Sequence, residues 1–346
     1  MAIQLYDTVA SRNLLRAEMR MLKHAGKIQV LGTFGDQKEQ PLRKTDVVVF
    51  RRLKPFNATA TEVPDITAAN FVTAEGVTPT ANTISYTDVT ATLSQYAVLF
   101  KFSSRSELTY EDDIPGDMSK LTGETLGEVA ELVAYGFIRG GTGVIYTNGA
   151  TRVGLNSTIG LNSLRSAART MESNRAKQVT SSIKPGLEFG TSSVEPAYIV
   201  FIHTDMVADC RDLPGFTKRV DYGSAIKPVH AREFGACEDF RFVTSPLFAP
   251  HGAGGAAVGA EGMKSVLAAN YDVYPMVIIG ESAFGHISLK GHGYKSGISP
   301  TLIPSSTKNH ANPSGMFGYV GADFWYTCCR LNENWMTRIE TCATDL

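Results

Sequence analysis

Apolar and polar side chains alternate over residues 46–53 and again over 93–103, the period of a half-buried strand. In the second run Tyr96, Val98, Phe100 and Phe102 take one face and Gln95, Ala97, Leu99 and Lys101 the other, and the two strands are expected to pair. A helical period governs residues 119–139, where Leu121, Val129, Val133 and Phe137 fall on one apolar face that Leu126 and Leu132 widen. This rod spans about 30 Å at 1.5 Å per residue. Gly123, Gly127 and Gly136 each weaken a helix interior by roughly 1 kcal/mol relative to alanine, so they predict close approach of another backbone. Glu124, Glu128 and Glu131 are expected to form a solvated face, because no Glu-x-x-His motif accompanies them as a carboxylate metal bundle requires.

Two further helices follow from the same period. Residues 7–25 carry Asp7 or Thr8 as N-cap, an apolar face through Leu15, Met19 and Leu22, and Gly26 as the stop. Arg12, Arg16, Arg20 and Lys23 share one stripe of that helix, either a solvated face or one awaiting an acidic partner, a neighbouring subunit or phosphate. Residues 162–178 open on Asn162 as N-cap and turn Leu164, Ala167, Ala168 and Met171 inward, Arg165 and Arg169 outward. From Ala197 onward, short apolar strands at 198–202, 240–243 and 276–279 alternate with a helix near 205–213 and glycine-rich turns, predicting a second α+β unit that reaches about residue 311. The aromatic stretch 318–341 predicts a buried closing element.

Between the first two strands, residues 57–92 contain Glu62, Asp65, Glu75 and Asp88 but no lysine or arginine, and their large apolar side chains are too scattered to build a core. Loops beyond about 15 residues are functional or disordered as a rule. An extended arm that gains its burial from another molecule satisfies both facts.

With 346 residues, 43% hydrophobic and 19% charged, the chain is globular and long enough for about two domains. It has no apolar run long enough to span a bilayer, and Asp7, Arg12, Arg16 and Glu18 interrupt any secretory h-region, so no membrane partner is expected. Lysine plus arginine (33) against aspartate plus glutamate (34) leaves a net charge of −1, which excludes a nucleic-acid condenser. The 5 cysteines lack C-x-x-C spacing and read as reduced core thiols.

Candidate chemistry is thin. The stretch 251–262 (HGAGGAAVGAEG) is glycine-rich like a phosphate loop, but Met263 stands where a glycine must precede Lys264 and Ser265, so a mobile surface loop is expected. Around Ser282 the turn misses G-x-S-x-G by one residue, and His203 with Asp205 and Asp209 resembles an N-cap cluster more than a ligand set. No catalytic, metal or cofactor site is expected, and the arm, rod and basic stripe are features of a chain that assembles, with opposite charges setting register between subunits.

The order of these elements resembles that of the major capsid proteins of tailed double-stranded DNA phages, with the Hong Kong 97-type fold. Within that group the N-four-like capsids are similar in LFKFSSRSELTYED (residues 99–112), AYIVFIHTDMVADCRDL (197–213), FRFVTSP (240–246), YPMVIIGESAFGHISLKG (274–291) and NWMTRIE (334–340). The resemblance implies an α+β fold with an N-arm at 1–40 and an E-loop hairpin with its flanking strands at 41–110. It further implies a peripheral domain at 111–190 and 312–346 with its spine helix at 119–139, and an axial domain at 191–311. It implies a structural protein, not an enzyme, that forms pentamers and hexamers of an icosahedral head around non-specifically held double-stranded DNA. The inter-subunit residues would be Arg12, Arg16, Arg20, Lys23, Glu62, Asp65, Glu75 and Asp88. Scaffold, portal and decoration proteins are the implied partners, the virion capsid the location, and the host cytoplasm the place of assembly. With no lysine in the arm, the covalent lysine–asparagine lock of some members is not expected. The alternatives are an encapsulin-like compartment shell and a small-molecule enzyme using residues 251–262 or Ser282.

Overall fold

The computed structural model describes residues 29–57, 63–79, 81–183, 191–223, 227–290, 298–310 and 312–346. The helix expected at 7–25 lies outside them. A short 3-10 turn at Leu31–Thr33 leads into β1 (Asp36–Pro41), β2 (Val47–Leu53), β3 (Tyr86–Thr92) and β4 (Ser94–Ser103), then α1 (Ser104–Thr109) and α2 (Ile114–Arg139). The middle of the chain holds β5 (Val144–Tyr146), α3 (Leu161–Ser173), β6 (Val179–Ile183), β7 (Thr191–Ile202) and α4 (Val207–Arg211). After β8 (Thr217–Lys218) come β9 (Glu233–Cys237), β10 (Phe240–Thr244), β11 (Tyr274–Ile279) and β12 (Phe284–Lys290). The chain closes with β13 (Ile298–Ile303), β14 (Phe317–Arg330) and β15 (Met336–Thr341).

These strands form three sheets. In the eight-stranded sheet the order is β5-β15-β11-β7-β10-β9-β8, with β6 on β7; in the five-stranded one it is β1-β12-β14-β13, with β4 on β14. β2 and β3 make a sheet of their own. Every residue of β11 is buried, which explains its unbroken apolar run: a strand covered on both faces has no polar side to alternate. One face of that sheet packs Tyr198, Val200 and Ile202 with Leu164, Ala167 and Met171 of α3. Its other face packs Ile199, Phe201 and Val277 with Tyr135 and Ile138 of α2.

The expected pairing of residues 46–53 with 93–103 is not what forms. β2 pairs antiparallel with β3, and β4 pairs with β14 from Ser103↔Phe317 to Ser94↔Tyr326. The long ladder on β14 lets Phe102 join Val320, Ala322 and Phe324 over α2, burial that a two-stranded ribbon cannot supply.

The long helix starts at Ile114, five residues before the expected position, because the Asp113 carboxylate caps it by accepting from Gly116 N at 3.2 Å. Its buried face also differs from expectation. Gly116, Ser119, Thr122, Gly123, Leu126, Gly127, Ala130, Ala134, Tyr135 and Ile138 face the protein, while Leu121, Leu132 and Phe137 are exposed. Gly123 and Gly127 are buried on the face that packs against β4 and β14, whereas Gly136 meets no neighbour. α3 starts at Leu161, with Gly160 rather than Asn162 at the N-cap, and it buries Leu164, Ala167 and Met171. β12 and β13 join β14 in the five-stranded sheet, whereas the C-terminal β15 lies between β5 and β11 in the eight-stranded one.

Candidate assembly surfaces

The β2–β3 hairpin has one anchored end. Alternation places Val48 and Ala91 on its inner face, where they pack with Leu93, Ile287, Cys329 and Leu331. Lys38 donates to the Val49 carbonyl at 2.6 Å and stands over the Phe50 ring, which ties the ribbon to β1. Farther out this support ends. Leu53, Val72 and Ile84 are 57%, 80% and 73% exposed, and Phe56 packs edge-on against an equally open Phe71 at 5.9 Å. Asn57, at φ 48°, donates through Nδ2 to the Asp65 carbonyl at 2.6 Å, folding the outer part of the arm into a turn.

The charged residues expected to set register fall into three groups. Arg12, Arg16, Arg20, Lys23 and Glu62 lie outside the described residues. Asp65 and Glu75 are exposed on the arm. Asp88 is engaged within its own chain, where Arg51 directly across the hairpin donates to both of its oxygens at 2.8 and 3.0 Å. The hydrogen bond from Arg51 holds the Asp88 carboxyl below the usual carboxylate range. Arg51 also lies over the Tyr86 ring at 5.7 Å.

A second polar centre has no counterpart in the sequence reading. Glu131, expected on a solvated face, is buried and accepts from Val30 N and Leu31 N at 3.1 Å. Opposite it, buried His286 contacts the Leu31 and Phe34 carbonyls through Nε2, each at 3.0 Å, while Nδ1 meets the Tyr326 hydroxyl at 2.5 Å. Carbonyls only accept, so Nε2 carries the proton and Nδ1 accepts from Tyr326. Burial raises Glu131 to about 7 against the pull of the two amides and Arg232. Burial also lowers His286 to about 4. A cavity of about 330 Å³, lined in part by Lys38, Glu39, Glu131, His286, Lys290 and Tyr326, adjoins the pair. Only the unusual polarity of Glu131 and His286 within apolar runs could have marked them in the sequence.

The alternatives with chemistry lose their geometry. Residues 251–262 are pinned rather than mobile: Ala253 N donates to Asp272, Gly255 N to the Tyr271 carbonyl, Val258 N to the Ala269 carbonyl and Gly259 N to the Tyr271 hydroxyl. Donors spent in this way cannot cradle a phosphate. Ser282, at φ 55°, donates to Asp36 at 3.0 Å, and a carboxylate without an imidazole between them is no nucleophile-activating pair. His203 accepts from Asp205 N at 3.2 Å as an N-cap, while Asp205 takes bonds from Lys264 and Tyr274. The cysteines are free and buried, and Cys328 and Cys329 enter different cores from opposite faces of β14, as strand geometry requires.

No sequence family and no curated protein matches the chain. Solved structures do. The capsid of Ralstonia phage GP4 superimposes with a TM-score of 0.62 at 12% identity, covering 90% of this chain and 87% of that one. The fold is the Hong Kong 97-type phage capsid fold. The capsid of cyanophage Pam1 is similar at a TM-score of 0.56 and 11% identity, with 89% of each chain covered. The SrpI encapsulin of Synechococcus elongatus PCC 7942 shares the fold at 0.51 and 10% identity, covering 90% of this chain and 86% of that one. Against this capsid fold, the β2–β3 hairpin is the feature left without a core of its own.

Proposed function

We propose that the chain is the major capsid protein of a tailed phage, a structural subunit without enzymatic activity that self-assembles into pentamers and hexamers of an icosahedral head around double-stranded DNA. The observation that carries this reading is the β2–β3 arm, rooted by Val48 and Ala91 and apolar but uncovered beyond Leu53. A ribbon of two strands is marginal alone, and a neighbouring subunit supplies the missing face. The capsid fold supports the same conclusion by analogy of architecture.

In this reading residues 1–40 are the N-arm, 41–110 the E-loop with its flanking strands, 111–190 and 312–346 the peripheral domain, and 191–311 the axial domain. Arg12, Arg16, Arg20 and Lys23 meet carboxylates of an adjacent arm, with Glu62, Asp65 and Glu75 the candidates and Asp88 a fourth only where it exchanges its Arg51 partner. The near-neutral charge suits a lining that must release DNA, whose contacts are non-specific and salt-dependent. Decoration, scaffold and portal proteins complete the head, which is built in the host cytoplasm. Sedimentation of the purified protein, with negative-stain imaging of the fastest fraction, tests the reading. Closed shells, tubes or capsomer rings support it, and a monomer that persists at high concentration with scaffold supplied overturns it. Shells that co-purify with a protein cargo instead of packaging DNA select the compartment alternative.

A further inference from the structure

The contacts of residues 30–34 are unusual in being held from both sides by titratable groups. Glu131 on α2 takes the N–H groups of Val30 and Leu31, and His286 on β12 donates to the carbonyls of Leu31 and Phe34. Residues 1–28 join the described chain at this point. We propose that Glu131 and His286 act as an opposed pair that latches residues 30–34 to α2 and β12 and cancels most of the pH dependence of that seating, so that losing either one turns the latch into a proton-operated switch. This inference does not rest on the shell reading.

The argument is one of linkage. Between about pH 4 and 7 the seated segment holds both groups in their neutral forms: a neutral carboxyl still accepts an amide through its carbonyl oxygen, and a neutral imidazole still donates through Nε2. Lifting the segment exposes them to water, where the carboxyl returns toward 4.5 and the imidazole toward 6.5. Glu131 is raised when seated, so its contribution grows as pH falls from about 7 toward 4.5. His286 is depressed when seated, so its contribution is complete above 6.5 and drains away as pH falls toward 4. Across this range the two slopes oppose each other.

Other groups face the pair. Arg232 acts on Glu131 from the loop before β9, Tyr326 bonds His286 from β14, and Cys328 sits opposite His286 in the same ladder. Lys38, Glu39 and Lys290 line the cavity, with Lys290 paired to Glu39 at 3.0 Å, and His230 lies against the Phe34 ring. Tyr135 stands one turn along α2. All of these remain in single variants of Glu131 or His286 and therefore cancel in a comparison with wild type.

Hydrogen exchange of peptides covering residues 29–35 in the full chain, corrected for intrinsic rates, reads the latch. The quantity is protection at pH 5 divided by protection at pH 7.5. Glu131→Gln keeps the shape and removes the rising term, so its ratio should fall about tenfold or more below wild type. His286→Gln removes the falling term, and its ratio should rise about tenfold or more above wild type. Ratios that stay near wild type in both variants, or that move in the same direction, overturn the proposal. If either variant does not fold, carbon-13 titration of the wild-type side chains decides: Glu131 must titrate at a higher pH than His286, and the usual order overturns the latch.

Discussion

The β2–β3 ribbon and the eight-stranded sheet are built from similar strand chemistry and reach opposite ends. β11 lies between β7 and β15 with every side chain buried, whereas β2 alternates between a face that meets the protein at Val48 and Phe50 and a face open to solvent. Valines, phenylalanines and threonines at period two therefore specify a strand without specifying what covers it. The sheet satisfies its own burial; the ribbon needs a second molecule.

Variants should separate the two regions in order of effect. Phe201→Ala in the fully buried core of the large sheet should cost about 3–5 kcal/mol in urea unfolding, enough to threaten folding itself. Nearly as large is the loss from Glu340→Ala on β15, roughly 3 kcal/mol, since it strips the buried carboxylate that Arg152 holds with two bonds at 2.6 Å and that faces Arg338 at 2.8 Å. Burial pushes the Glu340 carboxyl up, but the Arg152 bonds and the two positive charges bring it below its ordinary 4.5. Its contribution is thus complete above pH 4.5 and drains away in stronger acid, and Glu340→Gln should flatten that part of the acid unfolding curve.

In the ribbon, effects should divide by position. Val48→Ala at the root removes two buried methyl groups, about 2 kcal/mol, and should release protection of the hairpin amides selectively. At the outer end Val72→Ser should leave the unfolding of the isolated protomer unchanged while lowering shell yield. A matching loss of protomer stability would show that the arm is self-sufficient and erase the contrast. Smallest is Asp88→Asn, which breaks a solvent-exposed pair; only the salt dependence of assembly should respond.

The strands at 46–53 and 93–103, the long helix, the inward face of α3, the buried cysteines and the unsupported arm were all legible from periodicity and composition. Period identifies an element because backbone geometry repeats, whatever its neighbours are. What it does not carry is the partner. The 46–53 strand chose the returning residues 86–92 over 93–103 because β14, over two hundred residues away, offered β4 a longer ladder and a helix to pack on.

The same limit explains the helix and the latch. Leu121 and Phe137 suggested an inward face, yet the buried face of α2 is rotated away from them: it carries Leu126, Tyr135 and Ile138 among glycine, alanine and threonine, and Leu121 and Phe137 stay outside. Glu131 looks in sequence like its neighbours Glu124 and Glu128; only the segment arriving from residue 30 removes it from water.

By itself the sequence determined the strands at 46–53 and 93–103, the long helix to within a few residues, that the cysteines are core residues, and that the arm lacks a core, since these follow from local geometry and from the amount of apolar surface available. Tertiary structure alone decided which strands pair, which face of α2 is buried, and that Glu131 and His286 meet across one short segment. Those outcomes depend on surfaces brought together from distant parts of the chain, and burial, the largest energy in each choice, is a property of the pair rather than of either sequence.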